Sequence, residues 1–379
     1  MSGRSGTKGA GFSLDPLRDR WAVAPGWARW TVYLLLIAGA LLLPSQAIGS
    51  FMAPSDTDWP TMLSDEIGIY VLLAIGLNVV VGMAGLLDLG YVAFYAVGGY
   101  TIAIFATKYH WSFWETLLLA ILFAALAGVL LGAPTLRLRG DYLAIVTLGF
   151  GEIVRKTAQN MNYVNGPRGI QGIPHPPSLS EWTIPGLEVQ PFKYGLLDSR
   201  PYYYLLVFFI IVAIIFVKRL ERSRVGRAWA AIREDEDAAE LMGVPTFKFK
   251  LAAFAIGAAI GGSGGVVFAA KQTSINPDNF QFMVSALILA AVVLGGSGNI
   301  PGVVLGAFVL SWLPERFREL NDYRMLIFGV ALVAMMIFRP EGLWPSRQRK
   351  AEFAEGSGGM GTMGAEVPGP GTAAAEVTK

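Results

Sequence analysis

Again and again, this chain of 379 residues runs into apolar stretches about as long as a bilayer is thick. A transmembrane helix needs about 20 mostly apolar residues, with a range of roughly 17–25. On that rule spans are predicted at residues 30–51, 66–85, 86–107, 113–133, 141–159, 202–217, 247–270, 282–294, 300–313 and 324–338. That makes ten. The pair 282–294 and 300–313 is short, and runs of about 10–14 apolar residues also suit re-entrant or buried segments. Without that pair eight spans remain and the sidedness is unchanged. Composition agrees, with 54% hydrophobic and only 15% charged residues, against about 25% charged in soluble domains. The fold class expected is an all-α, polytopic integral membrane protein.

Several function classes drop out early. Cysteine is absent, which removes disulfides, thiolate metal sites and cysteine nucleophiles. His110 and His175 are the only histidines, so no metal site is expected. A net charge of +2 gives no reason to expect nucleic acid as a partner; the bilayer is the expected surroundings.

Orientation follows from where Lys and Arg fall, because cytoplasmic loops carry the excess. With the N-terminus inside, the cytoplasmic segments collect 20 of the 30 basic residues, including Arg137, Arg139 and eight between residues 218 and 250. Both termini are therefore expected in the cytoplasm. The apolar run 31–43 lies too far from the start for a secretory signal and reads as the first anchor. The expected organisation is a disordered N-terminal segment 1–29, a transmembrane domain 30–345 and a flexible tail 346–379 of Gly, Ala, Glu and Pro. Residues 161–201 form the one sizeable external loop.

Enzyme signatures are weak. A nucleotide-binding P-loop needs a Gly-Lys pair, and none occurs. Any ATP must be bound by partner subunits, and no cofactor of the chain's own is expected. "GGSGG" (261–265) fits the nucleophile pattern G-x-S-x-G, but neither histidine lies within a span to serve Ser263 as base. Small residues at that place also let helices approach closely in lipid.

Ionisable and polar groups within spans are more telling, since each is costly unless paired or wet. Glu152 and Arg155 stand three apart on one helical face and can neutralise each other. They read either as a structural pair or as the edge of a solute pathway. Asn78 sits inside an apolar run, as a packing or pathway residue. Asp88 reads as a member of the cytoplasmic turn between the second and third spans. Glycine-rich "GMAGLLDLG" and "GGSGNIPG" suit close packing, or local unwinding that lets backbone groups line a polar path.

One block breaks the pattern. "GRAWAAIREDEDAAELMGV" (226–244) holds two Arg and five acids in nineteen residues. It is rich in helix formers and stops at Gly243, with Pro245 beyond, the usual end of a helix. Arg233 and Asp237 have the spacing of an i,i+4 pair. A helix lying on the inner leaflet would favour basic residues over acids, so the block reads better as a docking element for a protein.

This block resembles the coupling loop of ABC importer permeases, in which an Ala-Ala pair (here Ala238 and Ala239) is followed by Gly (Gly243). "GLLDLGYVAFYAVGGY", "LRLRGDYLAIVTLGFGEIVR", "VVLGGSGNIPGVVLGA" and "FRPEGLWP" are similar, in order, to the branched-chain amino acid permeases of the LivM type. The likeness runs from about residue 63 to 345. It implies the permease fold of an ABC importer, in a bacterial inner membrane. The implied partners are a second permease, two cytoplasmic ATP-binding subunits and an extracytoplasmic substrate-binding protein. Branched-chain amino acids are the implied solutes, with urea or short amides as the alternative, since related permeases share the motifs. By the same resemblance Arg233, Asp237, Ala238, Ala239 and Gly243 couple to the ATPase. Asn78, Tyr91, Tyr95, Thr147 and Glu152 are candidates for the solute path. A stand-alone ion-coupled transporter would explain the spans but not the acidic block.

Overall fold

The computed structural model describes residues 31, 38–44, 58–136, 138, 140–178, 193–195, 198–316, 326, 329–330, 333 and 342–344. Segments 1–29 and 346–379 lie outside the described residues, as do most of the expected first and last spans and part of the 161–201 loop.

Between residues 59 and 316 the main helices follow one another. Helix α1 (Trp59–Met83) widens into π-helical turns at Leu63–Ile67 and Asn78–Met83. Then come α2 (Val92–Lys108), α3 (Phe113–Thr135), α4 (Asp141–Asn160) and α5 (Arg200–Glu221). Two short helices, α6 (Arg224–Glu234) and α7 (Glu236–Leu241), precede α8 (Thr246–Gln272), α9 (Phe282–Gly295) and α10 (Ile300–Arg316). Strands β1 (Ile170–Gln171) and β2 (Ser274–Ile275) form a small antiparallel ladder, Ile170 opposite Ile275. Local chemistry sets several starts. Ser112 Oγ accepts from Glu115 N while Glu115 Oε2 accepts from Ser112 N, a capping box that opens α3.

Among the described residues, five helices are long and apolar enough to cross a membrane: Trp59–Met83, Phe113–Thr135, Arg200–Glu221, Thr246–Gln272, and α9 with its leading turn, Pro277–Gly295. The chain is a multi-pass, mostly helical membrane protein. At the centre lies α8, packed against α1, α2 and α3. Lipid tails are as apolar as leucine, so helices in a bilayer associate through close van der Waals contact between small residues. The α2–α8 crossing works this way: a Cβ on Gly98 would lie 2.0 Å from Gly262 O, and one on Gly265 would lie 2.1 Å from Tyr95 O. The outward faces are plainly apolar, with Leu118, Leu122, Leu126 and Leu130 exposed at every fourth position of α3 and Phe208, Val212, Ile215 and Phe216 on α5.

Most expected spans are helical to within a few residues, among them 113–133, 141–159, 247–270 and 282–294, although Asp141–Asn160 is not one of the helices apolar enough to cross a membrane. Two differ. The span expected from residue 66 begins seven residues earlier, at Trp59, where Pro60 suits the first helical turn. The span expected over 86–107 is helical only from Val92, and residues 84–91 run as irregular, largely buried chain between α1 and α2. Asp88, expected in the cytoplasmic turn between the second and third spans, lies in this segment and is fully buried.

The helix ends sort into two groups. One end of the molecule gathers the Gly82 end of α1, the α6–α7 block, the start of α8, the α9–α10 turn and residues 342–344. The other gathers Trp59, the α2–α3 turn and the β1–β2 ladder. Tyr109, Trp111, Trp114 and Tyr163 are exposed there, the kind of aromatic girdle that marks a membrane–water boundary.

Candidate functional site

The charged block folds as two helices, not one. Asp235 takes an extended backbone (φ −154°, ψ 110°), which stops α6. Its Oδ1 then accepts from Ala238 N at 3.0 Å and caps α7. The reason is familiar: Asp competes for backbone N–H groups and is worth more at a helix start than inside one. The single helix expected over 226–244 is thus interrupted between Arg233 and Asp237. Beyond α7 the chain closes with Val244 N donating to Ala239 O at 3.0 Å and Gly243 N to Glu240 O at 2.9 Å. Gly243 has φ +85°, the left-handed conformation this closure requires and glycine adopts freely.

The apolar side of the block is locked to the membrane helices. Trp229 is fully buried, and its Nε1 donates to Phe249 O at 2.7 Å at the start of α8. Ala228, Ile232 and Ala239 are buried with it. Lys250, buried on α8, pairs with Glu236 of α7. Arg233 reaches α1, where its Nη1 donates to Gly82 O at 2.6 Å. Opposite this anchored side stand Ala238, Leu241, Met242 and Gly243. Leu241 is 87% exposed and Met242 85% exposed. Two apolar side chains thus stand bare on a block fastened at three points to α1 and α8.

Behind the block lies the irregular segment 84–91. Non-helical chain at membrane depth survives only where protein satisfies its backbone. Here the partners come from distant elements. Thr147 Oγ1 of α4 accepts from Leu89 N at 3.0 Å, Ser285 Oγ of α9 accepts from Val92 N at 2.8 Å, and Asp88 Oδ1 accepts from Gly90 N at 2.8 Å. Asp88 Oδ2 has no hydrogen-bond partner among the described residues. The Tyr91 hydroxyl donates to Gly257 O at 2.8 Å, in a slot kept open by Gly76 of α1 and Gly261 of α8. Asn78, on the last π turn of α1, accepts from Gly298 N at 2.8 Å with its Oδ1.

The five candidates for the solute path therefore divide. Asn78, Tyr91 and Thr147 are buried around segment 84–91, with hydroxyl or amide oxygens engaged in bonds between a helix and either that segment or the α9–α10 turn. Tyr95 lies a turn further along α2, its ring 5.3 Å from Phe268 and 5.2 Å from Phe280. Glu152 is apart from all of these. Its Oε2 accepts from Arg155 at 2.8 Å, and Arg155 Nη1 reaches Asp278 at 3.5 Å, tying α4 to the turn before α9. Ser263 donates to Ile260 O at 2.7 Å within α8, while His110 is exposed and His175 bonds the Tyr202 hydroxyl.

Sequence reasoning missed Trp229, Lys250, Ser285 and Gly298 as parts of this site. Only Trp229 carried a signal, as the largest apolar residue in a charged block. The others depend on partners more than ten residues away.

Residues 62–336 match a family model described as the permease component of the branched-chain amino acid transport system. The high-affinity branched-chain amino acid transport permease LivM of Escherichia coli (strain K12) is 44% identical over 323 residues, covering 79% of this chain and 75% of that protein. LivM of Salmonella typhimurium is 43% identical over 343 residues, covering 86% and 78%. LivH of Escherichia coli (strain K12), a permease of the high-affinity branched-chain amino acid system, is 23% identical over 291 residues, covering 72% and 90%. No solved structure matches the chain.

Proposed function

The chain belongs to the family of branched-chain amino acid transport permease components, and from that premise we propose that it is one membrane-spanning half of an ATP-driven importer of leucine, isoleucine and valine. Its partners are a second permease of the LivH kind, two cytoplasmic ATP-binding subunits and an extracytoplasmic binding protein, in a bacterial inner membrane. The second permease is supported by the names of the relatives, since LivM and LivH are both permeases of the high-affinity branched-chain amino acid system. With the α6–α7 block in the cytoplasm, residues 342–344 share its side, in keeping with a cytoplasmic C-terminus.

One observation carries the coupling: a block anchored in the membrane core through Trp229, Arg233 and Lys250 presents Leu241 and Met242 bare to its surroundings. In this reading the ATPase takes that end, with Ala238, Ala239, Gly243 and Asp237 beside it. Closure of the ATPases on nucleotide moves the block, and the permease pair alternates between outward- and inward-open states. Such a change needs an element with two arrangements that nucleotide contacts bias. The solute path runs past segment 84–91, where Asn78, Tyr91 and Thr147 sit, with Tyr95 and Glu152 nearer the outer side.

The test is reconstitution. The permease should co-purify with its ATPases, and leucine with its binding protein should stimulate hydrolysis where urea does not. Gly243→Arg puts a long side chain at φ +85° and is expected to abolish ATP-dependent leucine uptake while the protein still inserts. Unchanged uptake would remove the block from the coupling role. The same assay strikes from the path any of the five candidates whose single substitution leaves uptake at the wild-type rate.

A further inference from the structure

Three elements meet at the carbonyl end of α1. The Arg233 guanidinium of α6 donates to Gly82 O at 2.6 Å. Gly82 itself is hemmed in, since a Cβ there would lie 2.0 Å from Asn78 Oδ1 and 2.5 Å from Gly298 N. Asn78 Oδ1 in turn accepts from Gly298 N at 2.8 Å, which ties α1 to the α9–α10 turn. That turn is stapled from its far side. Leu343 N donates to Leu294 O at 2.7 Å, Trp344 N to Gly295 O at 3.1 Å, and Asn299 Nδ2 to Trp344 O at 2.7 Å. Arg233 also packs on Gly85, the first glycine of segment 84–91, where a Cβ would come within 2.9 Å of Arg233 Cγ.

The chemistry of this junction suits the passage of movement. Helix carbonyl ends carry partial negative charge, so a guanidinium there is held by more than one neutral hydrogen bond. Arginine's planar fork is pre-organised and loses less freedom per bond than lysine would. Its target is a π-helical turn, Asn78–Met83. Such turns occur mostly as single-turn bulges inside α-helices, frequently at functional sites. Asn78 occupies the first position of that turn, and its Nδ2 is buried with no hydrogen-bond partner among the described residues. The turn is thus gripped at one end by the coupling block and at the other by the α9–α10 turn.

We propose that Arg233 and Asn78 are positioning residues of a single transmission joint: Arg233 draws on the Gly82 carbonyl when the coupling block moves, and Asn78 hands the displacement to the α9–α10 turn. The joint sits between the ATPase-facing surface and both segment 84–91 and the α9–α10 hairpin. It rests on the importer reading above and adds to it the route inside this subunit.

The measurement is leucine imported per ATP hydrolysed, in proteoliposomes holding the full complex and its binding protein. Arg233→Ala is expected to lower that ratio at least tenfold in assembled complexes, and Arg233→Lys to restore part of it. Asn78→Ala should lower the ratio comparably. Because the two residues act on one turn, Arg233→Ala with Asn78→Ala should fall no further than the worse single variant. A ratio unchanged in Arg233→Ala overturns the joint, and so does a double variant whose loss is the product of the two single losses. Loss of assembly in Arg233→Ala, Arg233→Gln and Arg233→Lys alike makes Arg233 a structural brace and overturns it too. A wild-type permease that recruits no ATPase overturns the importer reading along with the joint, so the two failures are distinguishable.

Discussion

Asp88 shows how much one buried carboxyl is asked to do where the chain leaves its helix. Its Oδ1 satisfies Gly90 N, a donor that would otherwise be buried and bare, while Oδ2 meets no hydrogen-bond partner among the described residues. The two oxygens therefore carry different weight. Asp88→Asn keeps an acceptor for Gly90 and is expected to leave the midpoint of thermal unfolding in detergent nearly unchanged. Asp88→Ala orphans the Gly90 amide and should cost about 1–3 kcal/mol, read as a clear drop in that midpoint. Equal midpoints for the two variants would show that the Gly90 bond is not what matters there. Arg233 is a comparable lesson, since from sequence it reads as a coupling residue with the spacing to pair with Asp237. Its guanidinium also reaches the end of α1, a contact that nothing in its own neighbourhood of the chain announces.

At the scale of elements, the α2–α8 crossing depends on missing side chains. Gly98 and Gly265 face backbone carbonyls at distances where no Cβ can sit. Gly98→Ala must therefore part the helices, and overpacking of this kind costs about 1–3 kcal/mol or more. Gly149 on α4 is the control, with nothing within 4 Å of its Cβ position. Gly149→Ala should be neutral or slightly stabilising, since Ala favours helix over Gly by about 1 kcal/mol. Folded yield and unfolding midpoint separate the two, and equal effects would mean the crossing is looser than it is drawn. The α6–α7 block makes the opposite point about legibility. Its helix formers and Gly243 stop are readable in sequence, but the break at Asp235 is not. An Asp in a run of helix formers becomes a cap only when the flanking helices are each anchored, α6 by Trp229 and α7 by the Glu236–Lys250 pair.

Across the whole molecule, apolar surface falls into two kinds. The stripe of Leu118, Leu122, Leu126 and Leu130 belongs to a membrane-crossing helix, whereas Leu241 and Met242 belong to the charged block. The chain has no cysteine of its own, so single cysteines report cleanly. In inside-out vesicles Met242→Cys should react with a membrane-impermeant maleimide and become protected when the ATPases assemble, while Leu122→Cys resists the reagent in both states. Labelling of Met242→Cys that ignores the ATPases would place the docking surface elsewhere. Hydropathy and helix punctuation, both local, were enough to read the helical membrane class and most helix bounds, along with the glycine stop of the coupling block. Residues 86–91 read as helix because they open an apolar run of membrane-spanning length. It is Thr147 and Ser285, brought in from α4 and α9, that release them. The junction of Arg233, Gly82, Asn78 and Gly298 likewise joins residues up to 220 positions apart. Local sequence can state which groups need a hydrogen bond; which distant side chain supplies it is settled only when the helices pack.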